Sequence, residues 1–236
     1  MKLSQSPITK TCDEQEVFES TLSLDHQNIL ELGCGDASQA RLIATTGEGR
    51  NILAAEVDAI QHEKNLQIDD LPNVDFVLSG AEAIPSGDSS IDTVFMFKSL
   101  HHVPLGDMDR ALQEIYRVLK PGGMAYISEP IFAGDFNEVL RLFHDEERVR
   151  QAAFDALQRM VDSGRLQLKK ELFFNTPVCF ENFQQYSEKV INVSFKDHQI
   201  SDALMEKIVW KFERMHTKND ECFLIPIRVD LLQKPG

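Results

Sequence analysis

Residues 29–38 read Ile29-Leu-Glu-Leu-Gly-Cys-Gly-Asp-Ala-Ser38, a short apolar run closing on an acid and two glycines one residue apart. A helix-forming segment, Gln39 to Thr45, follows at once. The pattern predicts a strand that turns sharply into a helix. Gly33 and Gly35 tolerate the φ > 0 conformations of such a turn and leave bare backbone for a ligand to approach. Three uses compete for it. A dinucleotide site wants a third glycine where Ser38 stands, and a P-loop wants a Lys-Ser/Thr pair that is missing here. An adenosine-type ligand without a pyrophosphate needs the turn but no long phosphate cradle. An ordinary glycine turn is the alternative without a ligand.

Asn51 to Val57, Asn-Ile-Leu-Ala-Ala-Glu-Val, reads as a second buried strand with Glu56 near its end. An acid about 20 residues beyond a glycine turn is where such folds grip two ribose hydroxyls, because a carboxylate accepts both hydrogen bonds. Asp58 competes for that role. However, Asp58-Ala-Ile-Gln61 reads as a helix N-cap in a capping-box variant, which gives Asp58 a structural task. Glu56 is therefore assigned to the ribose.

Four blocks then follow one another at fitting spacing: Leu30-Glu-Leu-Gly-Cys-Gly-Asp36; Ala55-Glu-Val-Asp58; Ser79-Gly-Ala-Glu-Ala-Ile-Pro85 with Ser90-Ile-Asp-Thr-Val94 and Leu100-His-His-Val-Pro104; and Ala111-Leu-Gln-Glu-Ile-Tyr-Arg-Val-Leu-Lys-Pro-Gly-Gly123. Over about residues 25 to 130 the chain resembles the class I S-adenosylmethionine-dependent methyltransferases, in the group that includes ubiquinone and menaquinone biosynthesis enzymes. The resemblance implies S-adenosyl-L-methionine as cofactor, S-adenosyl-L-homocysteine as product and methyl transfer to a small-molecule O-, N- or C-nucleophile. It implies cofactor contacts at Glu31, Gly33, Cys34, Gly35, Glu56, Val57, Asp58, Gly80, Ala81, Glu82, Phe97 and Lys98. Two positions depart from the family pattern. Ala37 replaces a further glycine, a change small enough to keep the turn. Gly80 stands where the family often has an aspartate that accepts from the adenine amino group, which leaves Glu82 or backbone carbonyls to do so.

Length and charge agree with this reading. The 236 residues fit one elaborated α/β domain. We divide it into a cofactor-binding core over 1–130, a cap over 131–217 and a closing strand over 218–236. A formal net charge of -14 argues against an electrostatic grip on RNA or DNA. Cys12, Cys34, Cys179 and Cys222 lie far apart with no C-x-x-C pair, so neither a metal site nor a disulfide framework is expected, and a reducing cytoplasm is. No signal-peptide core opens the chain, and no apolar run is long enough to span a membrane. Oligomeric state is not legible.

Strands and helices alternate in the first half. Helices are expected at Glu14 to Ser23, Ser38 to Thr45, Asp58 to Asn65 and Asp107 to Leu119, the last stopped by Lys120-Pro-Gly-Gly. Strands are expected at Asn28 to Leu32, Ile52 to Val57, Val74 to Ser79, Ile91 to Phe97 and Met124 to Glu129. This alternation implies a parallel sheet covered on both faces, with ligand at the strands' C-terminal ends. Further on, one long helix over Asn137 to Ser163, a strand at Glu171 to Phe180, helices at Phe183 to Val193 and Ser201 to Thr217, and a strand at Cys222 to Leu232 are expected. With the resemblance, the whole becomes a Rossmann-like, doubly wound, mostly parallel seven-stranded sheet. A late antiparallel hairpin closes it, and a helical cap covers the substrate pocket.

Catalytic residues are few because a sulfonium methyl is already activated, so transfer needs chiefly alignment and exclusion of water. His101 and His102 follow the fourth strand directly and are the candidate bases; a structural turn before Pro104 is the competing reading. Lys98, at the same strand end, could meet a carboxylate of cofactor or substrate, or simply water. His144, beside Asp145 and Glu146, reads as part of a charged helix face rather than a pocket residue. Other classes compete: a nicotinamide oxidoreductase, opposed by Ser38 and the Leu-Lys-Pro-Gly-Gly block; a non-catalytic or differently acting protein of the same fold; and a protein or RNA methyltransferase.

Overall fold

A computed structural model describes residues 1–192, 200–219 and 221–236. Strands β1 (Asn28–Leu32), β2 (Asn51–Glu56), β3 (Val74–Leu78), β4 (Ile91–Phe97), β5 (Leu119–Pro130), β6 (Gln167–Cys179) and β7 (Cys222–Gln233) form one sheet in the order β3-β2-β1-β4-β5-β7-β6. The first five run parallel, and β7 is antiparallel to both its neighbours. The order reverses at β1, which lies between β2 and β4. A crevice opens outside the strand ends at such a switch point.

Successive residues of a strand face opposite sides, and the apolar runs use both. Leu30, Leu32, Val94, Met96 and Ile127 face one core, where helix α4 (Met108–Val118) contributes Met108, Ala111, Leu112, Ile115 and Val118 at helical spacing. Ile29, Phe95, Phe97 and Tyr126 face the other, against Phe18 of α1 (Glu14–Thr21). Helices α2 (Ser38–Thr46) and α3 (Ala59–Asn65) complete the first half.

Helix α4 stops at Val118, and the strand begins at Leu119 rather than Met124. Pro121 cannot continue a helix, and Leu119, already extended, registers with Ile91. The expected single helix over Asn137 to Ser163 is two, α5 (Asp135–Leu140) and α6 (Glu147–Asp162). Asp145 accepts from the Glu147 amide at 3.0 Å and starts the second helix afresh. The sixth strand begins at Gln167, four residues before the expected Glu171, because it pairs with β7 along its whole length.

Helix α7 spans only Phe183–Tyr186 and passes into a π-turn at Ser187–Ile191; the expected end of that helix, Val193, lies outside the described residues. Helix α8 (Asp202–Lys218) starts on Ser201, whose hydroxyl accepts from the Leu204 amide. Around these helices Phe180, Tyr186, Phe212 and Phe223 pack ring against ring in a third core.

The cysteine expectation needs correction. Cys179 and Cys222 form a disulfide across the β6–β7 hairpin. They are 43 residues apart in sequence, yet strand register sets them directly opposite, with Cα atoms 4.0 Å apart. The expectation of a reducing compartment rested on unpaired cysteines, and this pair removes that support. No described helix is long and apolar enough to cross a membrane.

Candidate functional site

The strand β1 ends at Leu32, and the chain turns through Gly33 at φ 73°, Gly35 at φ 54° and Ala37 at φ 62° before α2. The amides of Gly33 and Cys34 both donate to the Ala55 carbonyl, which pins the turn to β2. A Cβ on Gly33 would stand 2.8 Å from the Ser99 Cβ, whereas one on Gly35 would meet nothing within 4 Å. Both glycines hold left-handed dihedrals; Gly33 is required by packing as well, and Gly35 by the space it faces. Ala37 keeps the left-handed conformation despite its Cβ, at a cost of about 1 kcal/mol.

Glu56 closes the turn from the other side. Its Oε2 accepts from the Gly35 amide at 2.8 Å, and its Oε1 accepts from the Val57 and Asp58 amides at 2.8 and 2.9 Å. Asp58 caps α3 by accepting from Ile60 at 2.9 Å. The reciprocal half of a capping box does not form, because Gln61 donates along its own helix to Asn65 instead. The two acids therefore divide as their positions suggest, one at the strand end and one on the helix.

A cavity of about 590 Å³ opens over these strand ends. Of the residues expected at the site, Gly33, Gly35, Glu56, Val57, Asp58, Gly80, Ala81, Glu82, Phe97, Lys98 and His102 line it. Glu31, Cys34 and His101 do not. Glu31 is buried beneath the turn, where burial first and the nearby Asp36 second push its carboxyl well above the usual range. Cys34 points inward to the Asn65 amide, and burial raises its thiol too. Gly33, Gly35 and Asp36 of the motif border the cavity, while the Glu31 and Cys34 side chains serve the interior.

Lys98 lines the cavity as expected of a residue at this strand end, and its ammonium is also 2.6 Å from Glu14, a buried carboxylate on α1, which ties it to the N-terminal helix. The residues that sequence reasoning missed are Asp36, Gln61, Ser79, Met96, Ser99, Val103 and Pro104. All flank quoted motifs, and adjacency to a strand end was the signal available for them. Among the described residues, none that lines the cavity comes from beyond position 104.

The two histidines separate. His102 is exposed and lines the cavity. His101 is buried; its Nδ1 donates to Glu129 Oε2 at 2.5 Å, and the other Glu129 oxygen accepts from the amides of Leu100 and His101. Its Nε2 is 3.8 Å from Glu146 Oε2. Glu146 in turn binds Arg150 and His144, each at 2.7 Å. Burial alone would raise the Glu146 carboxyl, but the positive charges of His101 and Arg150 outweigh it and bring its pKa to about 2. Donor atoms of His101, His102 and Glu146 lie within 4.8 Å of one another, close enough for a metal ion. The Glu146 carboxylate is already committed to Arg150 and His144. His144 faces this pair rather than the cavity.

Comparison with known proteins agrees with the geometry. A methyltransferase-domain family profile matches residues 30–127. The ubiquinone/menaquinone biosynthesis C-methyltransferase UbiE of Escherichia coli is 35% identical over 111 residues, covering 44% of this chain and 42% of the relative. The chain matches half or less of the length of such curated relatives. The YcgJ protein of Bacillus subtilis superimposes with a TM-score of 0.63 at 16% identity, covering 92% of this chain and 95% of that one. The [4+2]-cyclase SpnF does so at 0.60 and 19%, covering 94% and 79%. These two share the fold, and their different names show that the fold alone does not assign a reaction. The matched segment carries the glycine turn and the strand-end acid described above, and over it the chain is similar to the methyltransferase-domain family and to the UbiE C-methyltransferases.

Proposed function

We propose that this protein transfers the methyl group of S-adenosylmethionine to a small-molecule acceptor at the end of β4. The observation that carries the reading is the joint of Glu56 and Gly35: a carboxylate at the end of β2, bonded to a glycine amide whose missing side chain leaves the cavity open. The cradle fits the cofactor on this chain's own geometry, since a side chain at Gly35 would project into unfilled space. Glu56 would hold the ribose, and Gly33, Gly35 and Val57 would border the adenosyl group. The bound cofactor supplies an activated methyl on a sulfonium.

The residues of the chain then have to align the acceptor, exclude water and, for a hydroxyl acceptor, take a proton. His102 is the base in this reading, because its ring lines the cavity while His101 is held away by Glu129. Met96, Phe97, Val103 and Pro104 supply an apolar wall at the acceptor end. A net charge of -14 favours a small molecule over nucleic acid. The name of the UbiE relatives makes a carbon nucleophile the first acceptor class to assay. The core over 1–130 would do the chemistry, and the segment 131–217 would shape access to it. Calorimetry with S-adenosylhomocysteine, followed by methyl incorporation from S-adenosylmethionine into candidate acceptors, tests the reading. Absence of binding at millimolar ligand would overturn it.

A further inference from the structure

We infer that His101, His102 and Glu146 form a binding site for a divalent transition metal of the zinc type, with an open coordination position on the acceptor side of the cavity. Among the described residues these three offer one donor atom each, all within 4.8 Å of one another. The histidines share the short turn Leu100–His102 after β4, and Glu146 stands immediately before α6. Two imidazoles and one carboxylate suit zinc and leave a position for an exchangeable ligand. Donor atoms on a tetrahedral zinc stand roughly 3.3 Å apart, given metal–ligand bonds of about 2.0 to 2.2 Å. His101 Nε2 and Glu146 Oε2, at 3.8 Å, are already near that spacing. A contraction of about 1.5 Å at most, which the exposed His102 ring can supply, completes the set.

The surroundings hold these donors as a metal needs them. The Nδ1–H of His101 is spent on Glu129 Oε2 at 2.5 Å, so the neutral ring turns its Nε2 lone pair toward Glu146. Two acceptors then face each other across a gap that a proton or a metal ion can bridge. A carboxylate behind a ligating histidine is the usual device that fixes ring and tautomer. Glu146 is held in its turn: Oε1 pairs with His144 and Oε2 with Arg150, each at 2.7 Å. A carboxylate has about four acceptor sites, so both bonds are compatible with ligation. His101 and Glu146 are buried, whereas His102 lines the cavity, so the exchangeable position opens beside His102. An acceptor hydroxyl placed there would give up its proton to water more readily. Its oxygen would then bond to the methyl carbon as the carbon–sulfur bond breaks and the neutral thioether leaves. In the metal-loaded protein this takes over the task of His102 as base, whose ring nitrogen is then on the metal. That role rests on the cofactor reading above; the metal site does not.

The test uses full-length protein without a histidine tag, stripped with a chelator and checked for cooperative unfolding. It is titrated with Zn2+ alone by calorimetry and with Co2+ by visible absorption. One equivalent of Zn2+ should bind, and Co2+ should show the bands of a four- or five-coordinate site with no thiolate-to-metal band. His102→Ala, at an exposed position, should weaken Zn2+ binding by roughly a hundredfold or more. Glu129→Gln, which reaches the metal only through His101, should weaken it by about ten- to a hundredfold. No stoichiometric binding to stripped, folded wild type, or equal affinity in wild type and His102→Ala, would overturn the site. A thiolate band would also overturn it, by giving the metal to a cysteine such as Cys12 or Cys34. S-adenosylhomocysteine titrated into the same samples tests the cofactor reading separately. Zn2+ that binds as expected where S-adenosylhomocysteine does not would remove that reading and leave the metal site standing.

Discussion

The carboxylate of Glu56 accepts a 2.8 Å hydrogen bond from the Gly35 amide, so the end of β2 fastens the turn that follows β1. The same carboxylate collects the Val57 and Asp58 amides, which holds the bend at the exit from its own strand. One side chain thus organises two loops and still borders the cavity. Glu56→Ala should weaken S-adenosylhomocysteine binding by more than tenfold, corresponding to about 1.5 to 3 kcal/mol for a charge-assisted pair. Asp58→Ala should instead cost about 1 kcal/mol of stability, as lost helix caps do, and leave affinity nearly unchanged. Calorimetry and thermal melts on both variants decide it. The opposite pattern would give the ribose to Asp58.

The two glycines of the turn should fail for different reasons. Gly33→Ala presses a Cβ against Ser99 and should lower the melting temperature. Gly35→Val meets no protein atom, so its stability loss should stay near the 1 to 2 kcal/mol or so of a left-handed L-residue. Its side chain enters the ligand's space, and cofactor binding should vanish while unfolding stays cooperative. Normal binding by Gly35→Val would mean that the turn is not the cofactor site.

The first half of the fold is legible because its signals are local. Ile29 to Ser38 declares strand, turn and helix within ten residues, and Glu56 follows at the right distance. The misread parts depend on tertiary partners. Nothing near Cys179 in sequence points to Cys222, since only the pairing of β6 with β7 sets them opposite. His101 and His102 are chemically identical neighbours, and what parts them is Glu129, a residue on another strand. Lys98 likewise reads as a free cation until α1 brings Glu14 to it. The break between α5 and α6 lies in the charged run Arg141 to Arg148, where Phe143, His144 and Asp145 are weak helix formers. The Asp145 carboxylate accepts from the Glu147 amide, and Glu146 is buried at the start of the new helix.

If His102 is the base, His102→Ala should lower kcat on a hydroxyl acceptor by roughly a hundredfold or more, with S-adenosylhomocysteine affinity unchanged. His101→Ala should act differently. It strips the buried Glu129 of its ring partner, a loss on the order of 3 kcal/mol in stability, and should appear first in the melting curve. Steady-state kinetics at a temperature where both variants are folded separates the two. Full activity in His102→Ala would return its role to turn formation.

Glu146 offers a test of how the second half is held to the first. It sits between Arg150 on its own helix and His101 beside the cavity wall, and those charges bring its pKa to about 2 from an ordinary 4.5. A carboxylate depressed on folding binds fewer protons in the native state than in the unfolded one. Its contribution is therefore present in full above the unfolded value and is lost as pH falls toward the folded one. The size of that contribution should be on the order of 3 kcal/mol. Glu146→Gln cannot titrate. The stability gap between wild type and this variant should be widest near pH 6 and close steadily between about pH 5 and 2. Urea melts across that range measure the gap directly, because every other carboxylate is common to both proteins. A gap that stays constant with pH would show that Glu146 holds the helix by packing rather than by charge.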